Sequence, residues 1–91
     1  MLVLITYDIK DTKKRTKVLT RVNKTCRKYL YQIQYSVLYG ELNKPQYERL
    51  VKELKKIIDQ DIDLITILIA KNKNNVETIF IGPEPPLKVV I

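Results

Sequence analysis

The sequence predicts a single α+β domain in which two helices cover one face of a mostly antiparallel sheet. Two observations predict this fold class: an apolar strand-like run is twice followed by an amphipathic helical pattern, and further strand-like segments come after the second helix. This order of elements, βαββαβ, is that of the ferredoxin-like, split βαβ class. At 91 residues the chain suits one hydrophobic core. Because this fold class hosts many functions, it leaves the function open.

The first two elements are a strand and a basic helix. Residues 2–7 form a near-continuous apolar run, which is typical of a central strand covered on both faces, and the run stops at Asp8. From Thr12 to Lys28 apolar residues recur every three or four positions, which predicts an amphipathic helix with Asp11 as its N-cap. Cys26 falls on the apolar stripe and is expected to be a core residue rather than a nucleophile.

The middle of the chain is expected to complete the sheet and add a second helix. Residues 29–42 alternate with period two, which fits either one long strand or a tight hairpin. Asn43 is predicted to cap a helix that runs to Ile58 and has an outer face of mixed charge. A buried strand at 63–70 and another strand at 76–81 are expected to form a hairpin.

The C-terminal segment follows a stiff break in the chain. We expect residues 1–82 to form the ferredoxin-like domain and residues 83–91 to form a Pro-containing spacer and an extra C-terminal strand. That strand needs an edge to pair with, either in its own sheet or in the sheet of a second protomer. Pairing across protomers would make a homodimer.

The positive charge is concentrated at one end of the chain. The formal net charge is +7, and residues 1–31 carry nine lysines or arginines with two acids, whereas residues 32–91 carry eight of each sign. This concentration predicts a surface for a polyanion such as RNA or DNA. The alternative is a solvated basic helix that binds nothing. The apolar runs are too short to span a membrane, and a lone cysteine fits a reducing compartment, so we expect a cytoplasmic protein.

The composition excludes several kinds of catalytic site. The chain has no histidine, one cysteine and two glycines. It therefore has no imidazole base, no zinc site built from thiolates and no glycine-rich phosphate loop. An enzyme made from this chain would use carboxylates, hydroxyls, basic side chains and a metal ion.

Asp8 is the leading candidate carboxylate because it ends a central strand just before a helix. A carboxylate in this place binds a hard cation or caps the helix, and spacing does not distinguish the two roles for Asp8 and Asp11. Arg15 lies one turn into the predicted helix, where it would contact a phosphate or pair with Asp8. Ser36 is a second polar candidate, on the strand-like segment that follows the helix.

These residues resemble a known family, CRISPR-associated protein 2, the small nuclease-like subunit of spacer acquisition. The resemblance spans nearly the whole chain and rests on the order and spacing of short motifs: Tyr7-Asp8-Ile9, Asp11, Lys13-Lys14-Arg15, Lys17-Val18, Gln34-x-Ser36-Val37 and Gly40-x-Leu42.

The resemblance implies a homodimer in which the Asp8 side chains of both protomers bind a shared Mg²⁺. It also implies endonuclease activity on single-stranded RNA or double-stranded DNA, within CRISPR antiviral defence. The implied catalytic residues are Tyr7, Asp8, Arg15 and Ser36, with Asp8 as the metal ligand. Residues expected to bind nucleic acid are basic and lie in or before the first helix: Lys13, Lys14, Arg15, Lys17, Arg21 and Arg27.

Two other functions are compatible with the same residues. The first is a non-catalytic DNA-binding scaffold that bridges the CRISPR-associated protein 1 integrase, which the resemblance implies as a partner. The second is a toxin-type ribonuclease of similar fold, which would need no integrase.

Overall fold

The computed structural model of the chain describes residues 1–10 and 15–83. Its regular elements follow the predicted βαββαβ order, which confirms the fold class. They are β1 (Leu2–Asp8), α1 (Thr16–Arg27), β2 (Tyr31–Gln34), β3 (Val37–Glu41), α2 (Lys44–Ile57) and β4 (Leu64–Ala70), followed by a 3₁₀ helix at Lys73–Asn75.

The four strands form one antiparallel sheet in the order β2-β3-β1-β4. β1 is central as predicted, and its residues alternate between the two faces of the sheet. Val3, Ile5 and Tyr7 are buried on the face that the helices cover. The other face, which we call the open face, carries no helix from the described residues, so the expected cover on both sides of β1 is wrong for the single chain. The open face comprises Leu2, Leu4, Thr6 and Asp8 of β1 with their register partners on β3 and β4.

The core lies between the sheet and the two helices, which pack against each other. Val22 and Cys26 of α1 and Leu50 of α2 are fully buried against the covered face. Burial raises the pKa of the Cys26 thiol to about 12, so the thiol stays protonated. This confirms that Cys26 is a core residue.

The two helices begin differently. α2 starts with the predicted cap: the Asn43 side chain accepts a hydrogen bond from the Gln46 backbone N–H, and the Gln46 side chain accepts one from the Asn43 N–H, both at 2.9 Å. α1 starts at Thr16 rather than Thr12, with Arg15 in the N-cap position and no side-chain cap. Asp11, the predicted cap, lies outside the described residues.

A tight hairpin accounts for the segment with period-two alternation. β2 and β3 are joined at Tyr35 and Ser36, with an irregular register between Gln32 and Gln34. In the described residues only a glycine, Gly82, has positive φ. The turn therefore needs neither glycine nor asparagine, which is why the sequence carried no signal for it.

Two predictions about the C-terminal third are wrong. β4 is an edge strand rather than a buried one, and Leu64 and Leu68 are 63% and 62% exposed. Residues 76–81 form no strand, because β4 pairs only with β1 among the described residues. The predicted C-terminal strand and most of its spacer lie outside the described residues. None of the helices in the described ranges has the length and apolar character that a membrane span requires.

Candidate functional site

Asp8 is the last residue of β1 and is exposed on the open face. Its register partner on β4 is Leu64. Within the described ranges the Asp8 side chain makes no hydrogen bond or ion pair, and it points to the face opposite the helices, so it does not cap α1. The carboxylate therefore remains available to a ligand on the open face.

The donor chemistry of Asp8 fits a hard divalent cation, but the described residues form no complete set of ligands around it. Magnesium prefers carboxylate oxygens and water in octahedral geometry. In the described part of the chain, no group of three acidic, histidine or cysteine side chains could hold a metal ion. At Asp8 the remaining positions of such a shell would be filled by water or by oxygen ligands from outside the described residues.

Two exposed leucines of β4 lie on the open face, one of them beside Asp8. Leu64 is the register partner of Asp8, Leu68 is the register partner of Leu4, and both are largely exposed. Exposed leucines on an uncovered sheet face beside its edge are typical of an interface.

Tyr7 lies on the opposite face of the sheet from Asp8. Its side chain is 6% exposed, and its hydroxyl donates to the Tyr35 carbonyl at 3.2 Å and accepts from the Asn23 side-chain amide at 3.0 Å. Tyr7 thus ties the β2–β3 turn and α1 to the central strand. The structure does not bring its hydroxyl together with the Asp8 carboxylate.

Ser36 lies in the turn beside the end of β1. Its backbone carbonyl accepts a hydrogen bond from the Tyr7 N–H at 3.2 Å, and its side chain is half-buried. Of the predicted catalytic residues, Ser36 is the one that the sheet places next to the Tyr7-Asp8 junction.

Arg15 pairs with Asp63 rather than with Asp8. The Asp63 side chain is inaccessible to solvent and accepts hydrogen bonds from both terminal nitrogens of the Arg15 guanidinium, one of them at 2.6 Å. The backbone N–H groups of Lys10 and Asp59 donate to the same carboxylate at 3.0 and 2.9 Å. The hydrogen bonds from Arg15 hold the pKa of Asp63 well below its ordinary value, assisted by those from Lys10 and Asp59 and opposed by burial. The bond to Asp63 also raises the pKa of Arg15.

The same side chains also hold the segment that follows Asp8, through hydrogen bonds to the Lys10 backbone. Asp63 accepts from the Lys10 N–H, while Arg15 donates to the Lys10 carbonyl at 3.0 Å. We call Lys10, Arg15 and Asp63 the clasp. Because the clasp engages its guanidinium, Arg15 is a structural partner of Asp63. Sequence reasoning missed Asp63, and the signal available was an acid placed just before an apolar strand.

The predicted nucleic-acid ligands are divided between different surfaces. Lys17 and Arg21 are exposed on α1. Arg27 is also exposed but lines a cavity of about 290 Å³ beside the hairpin, together with Tyr35. Lys13 and Lys14 lie outside the described residues. The exposed cations of α1 are thus on the helical layer, across the sheet from Asp8.

Comparisons with known proteins agree with this fold. The model of the family described as CRISPR associated protein Cas2 matches residues 1–78. A Fusobacterium nucleatum protein named CRISPR-associated endoribonuclease Cas2 is 33% identical over 82 residues, which cover 90% of this chain and 77% of the relative. A Thermotoga maritima protein of the same name is 36% identical over 81 residues, which cover 87% of each chain.

Solved structures show the same relationship. The crystal structure of Streptococcus pyogenes Cas2 matches with a TM-score of 0.72 and 34% identity, over 88% of this chain and all of that chain. A second Cas2 crystal structure matches with a TM-score of 0.77 and 33% identity, over the whole of this chain and 98% of the other. From the family model, the relatives and the shared fold, we conclude that this chain belongs to the CRISPR associated protein Cas2 family.

Proposed function

We propose that this protein is a metal-dependent endonuclease of a CRISPR system that hydrolyses phosphodiester bonds in RNA, with Asp8 as its catalytic carboxylate. The observation that carries the proposal is the placement of Asp8 at the end of the central strand, exposed and without a side-chain partner in the described residues. The name of the relatives, CRISPR-associated endoribonuclease Cas2, supports RNA as the substrate. Double-stranded DNA is the second substrate to test.

The proposed active unit is a homodimer joined through the open face. Burying Leu64 and Leu68 against a second copy would stabilise the pair, at about 25 cal/mol for each Å² of apolar surface removed from water. Because Leu64 is the register partner of Asp8, such packing would bring the two Asp8 carboxylates toward each other. Two adjacent carboxylates repel, and a divalent cation or a shared proton relieves the repulsion.

The residues of the chain have distinct parts in this proposal. The Asp8 side chains of both protomers would hold Mg²⁺, which supplies an activated water molecule for attack on phosphorus. The exposed cations of α1, among them Lys17 and Arg21, would attract the phosphate backbone. The clasp would hold the segment after Asp8 in place, so Arg15 acts through structure rather than on the substrate.

A second candidate function is a non-catalytic DNA-binding scaffold for the CRISPR-associated protein 1 integrase during spacer acquisition. The observation that favours it is the separation between Asp8, on the open face, and the exposed cations of α1, on the helical layer. A protein that only holds DNA needs the cations and has no need of Asp8.

The test is an Asp8→Asn variant assayed for RNA cleavage with and without Mg²⁺. We expect cleavage by the unaltered protein to require Mg²⁺ and to be lost in the variant, while light scattering shows an unchanged dimer. Asp61→Asn is the matched control because it removes one exposed carboxylate from the loop before β4 without changing β1.

Cleavage that persists in Asp8→Asn would overturn the catalytic proposal. Cleavage lost equally in Asp61→Asn would also overturn it, because the effect would then be one of general charge. If the unaltered protein cleaves nothing and Asp8→Asn still supports integrase-dependent spacer insertion, the scaffold function replaces the enzymatic one.

A further inference from the structure

We propose that β2, the edge strand of the hairpin, binds an extended acidic peptide of a partner protein as an added strand of the sheet. The binding surface is a cavity along the outer side of β2, which we call the edge groove. The inference goes beyond the proposed nuclease function and does not depend on it, because neither Asp8 nor the exposed leucines of β4 line the edge groove.

The edge groove follows β2 along its whole length. It has a volume of about 600 Å³, and its lining includes all of β2 (Tyr31–Gln34), the preceding residues 27–30 and Gln46 of α2. Four extended residues span about 13 Å. The groove therefore has the length of a short extended segment of polypeptide.

The backbone of β2 supplies hydrogen-bonding groups to this groove. In the sheet order β2-β3-β1-β4, β2 pairs only with β3 among the described residues. Every second residue of an edge strand directs its N–H and C=O groups away from its one neighbour, so these groups can pair with another extended chain. Peptides that bind in this way gain affinity from main-chain hydrogen bonds and specificity from alternate side chains.

The charged side chains of the edge groove favour an acidic peptide. Arg27 and Lys28 line the groove, and no acidic residue lines it in the described part of the chain. The Lys28 ammonium pairs with the Glu53 carboxylate at 3.3 Å. Arg27 is exposed and has no ion-pair partner within residues 1–10 and 15–83. Arg27 is therefore the cation available to a carboxylate of the peptide.

The register of the sheet predicts where the acids lie along the peptide. Gln32 of β2 is the register partner of Leu38, which is fully buried on the covered face, so Gln32 lies on the same side of the sheet as α1 and Arg27. The side chains of an added strand would alternate between this side and the open face, with about 7 Å between successive residues on one side. Acids at every second position would therefore all face the side of Arg27.

The charge of the edge groove disfavours a second copy of this chain as its occupant. Two copies joined edge to edge through β2 would bring two basic grooves together, and the groove lining of the described residues supplies no acid to either. The opposite edge of the sheet has another character, since Leu64 and Leu68 of β4 are exposed. The two edges thus suit different partners.

The backbone groups of β2 also favour a peptide over a nucleic acid. An edge strand offers both N–H and C=O groups, and a peptide backbone satisfies both kinds. A phosphodiester backbone has acceptor oxygens but no donors, so the carbonyl groups of β2 would stay unpaired against it. The expected occupant is therefore a peptide.

The test is binding of a labelled peptide of about eight residues that alternates glutamate with valine, measured by fluorescence anisotropy with the full-length protein in EDTA. We expect saturable binding that weakens at least about tenfold in Arg27→Glu, because the carboxylates then face a like charge. Arg49→Glu is the matched control, since it makes the same charge change at an exposed arginine of α2 outside the edge groove. It should weaken binding less than about threefold. Circular dichroism checks the fold of both variants.

Two altered peptides test the pattern and the main-chain pairing without any change to the protein. A peptide of the same composition with its glutamates and valines grouped in pairs should bind about threefold more weakly or worse, because half of its acids face away from Arg27. N-methylation of alternate residues removes the backbone donors on one side of the peptide. We expect it to abolish binding when it falls on the side that faces β2, and to be tolerated on the other side.

Amide hydrogen exchange measured by NMR locates the bound peptide. We expect the peptide to slow the exchange of N–H groups in β2 and not of those in β4. Slower exchange in β4 alone, equal losses in Arg27→Glu and Arg49→Glu, or equal binding of the plain peptide and both N-methylated peptides would overturn the proposal. So would a failure of the unaltered protein to bind the peptide.

A nucleic acid as the occupant is tested in the same way. A labelled single-stranded oligonucleotide that slows exchange in β2 as strongly as the peptide would overturn the proposal, because the edge groove would then bind polyanions in general. Asp8→Asn should bind the peptide as the unaltered protein does. Its loss of RNA cleavage and the loss of peptide binding in Arg27→Glu are therefore separate results.

Discussion

Arg15 and Asp63 are 48 positions apart in the chain and form a bidentate ion pair that joins the start of α1 to the residue before β4. α1 has no side-chain cap because its N-cap residue is Arg15, whose guanidinium cannot accept a hydrogen bond from the first N–H groups of the helix. The ion pair also makes Asp63 a support for the segment after Asp8, through the Lys10 N–H.

Asp63→Asn should destabilise the fold. The amide loses the negative charge and one of the two acceptor oxygens, while Arg15 stays charged beside it. Hydrogen bonds to charged groups contribute about 1.5 to 3 kcal/mol each, so we expect the free energy of unfolding to fall by about 2 kcal/mol. Urea unfolding followed by circular dichroism measures it. Glu53→Gln is the control, because its ion pair with Lys28 is partly exposed and should contribute less than about 1 kcal/mol. An equal loss of unfolding free energy in Asp63→Asn and Glu53→Gln would contradict a special role for the clasp.

The same carboxylate should make stability depend on pH in the acid range. The pKa of Asp63 is lower in the folded chain than in the unfolded chain, so the unfolded chain binds more protons in acid. The stabilisation from Asp63 is therefore complete above about pH 5 and is lost progressively as the pH falls below about 4, near the ordinary carboxyl pKa. We expect the urea midpoint to decrease as the pH is lowered from 7 to 2.5, and to decrease more steeply for the unaltered protein than for Asp63→Asn. Parallel curves would show that Asp63 is not the titrating group.

Tyr7→Phe distinguishes a structural tyrosine from a catalytic one. The change removes the hydroxyl that bridges Asn23 and the Tyr35 carbonyl, and we expect a loss of about 1 kcal/mol in the free energy of unfolding. RNA cleavage per folded molecule should stay within a factor of two or three. Tyr35→Phe, at a side chain that is 79% exposed, should change neither quantity. A hundredfold loss of cleavage in a stably folded Tyr7→Phe protein would show that the Tyr7 hydroxyl is catalytic.

Leu68→Lys tests whether the open face is an interface. Leu68 is 62% exposed opposite Leu4 on β1, and a lysine there would place a desolvated charge in any face-to-face contact. We expect the mass from sedimentation velocity to drop from that of two chains to that of one. Thr20→Lys adds the same charge on the exposed side of α1 and should leave the mass unchanged. A dimer that persists in Leu68→Lys would exclude the open face as the dimer interface.

Local signals in the chain were enough to predict β1, both helices and the cap of α2. The period of apolar residues predicted β1 and both helices, and the Asn43 cap of α2 formed as expected because its partner Gln46 is three residues away. The concentration of positive charge in and around α1 also follows from composition alone. These features depend on neighbours within a turn or two, so no tertiary contact was needed to predict them.

Tertiary structure alone decided which side chains meet. Asp63 became the partner of Arg15, in place of Asp8, because antiparallel pairing of β1 with β4 brings residues 64 and 8 side by side. The same packing turned Tyr7 into the core while leaving Asp8 exposed, and it set Lys56 beside the cations of α1. The sequence by itself determined β1, the two helices and the basic segment, whereas it left the β2–β3 hairpin open and predicted a strand at 76–81 that does not form. Their mutual placement depended on contacts between distant residues, which no local pattern encodes.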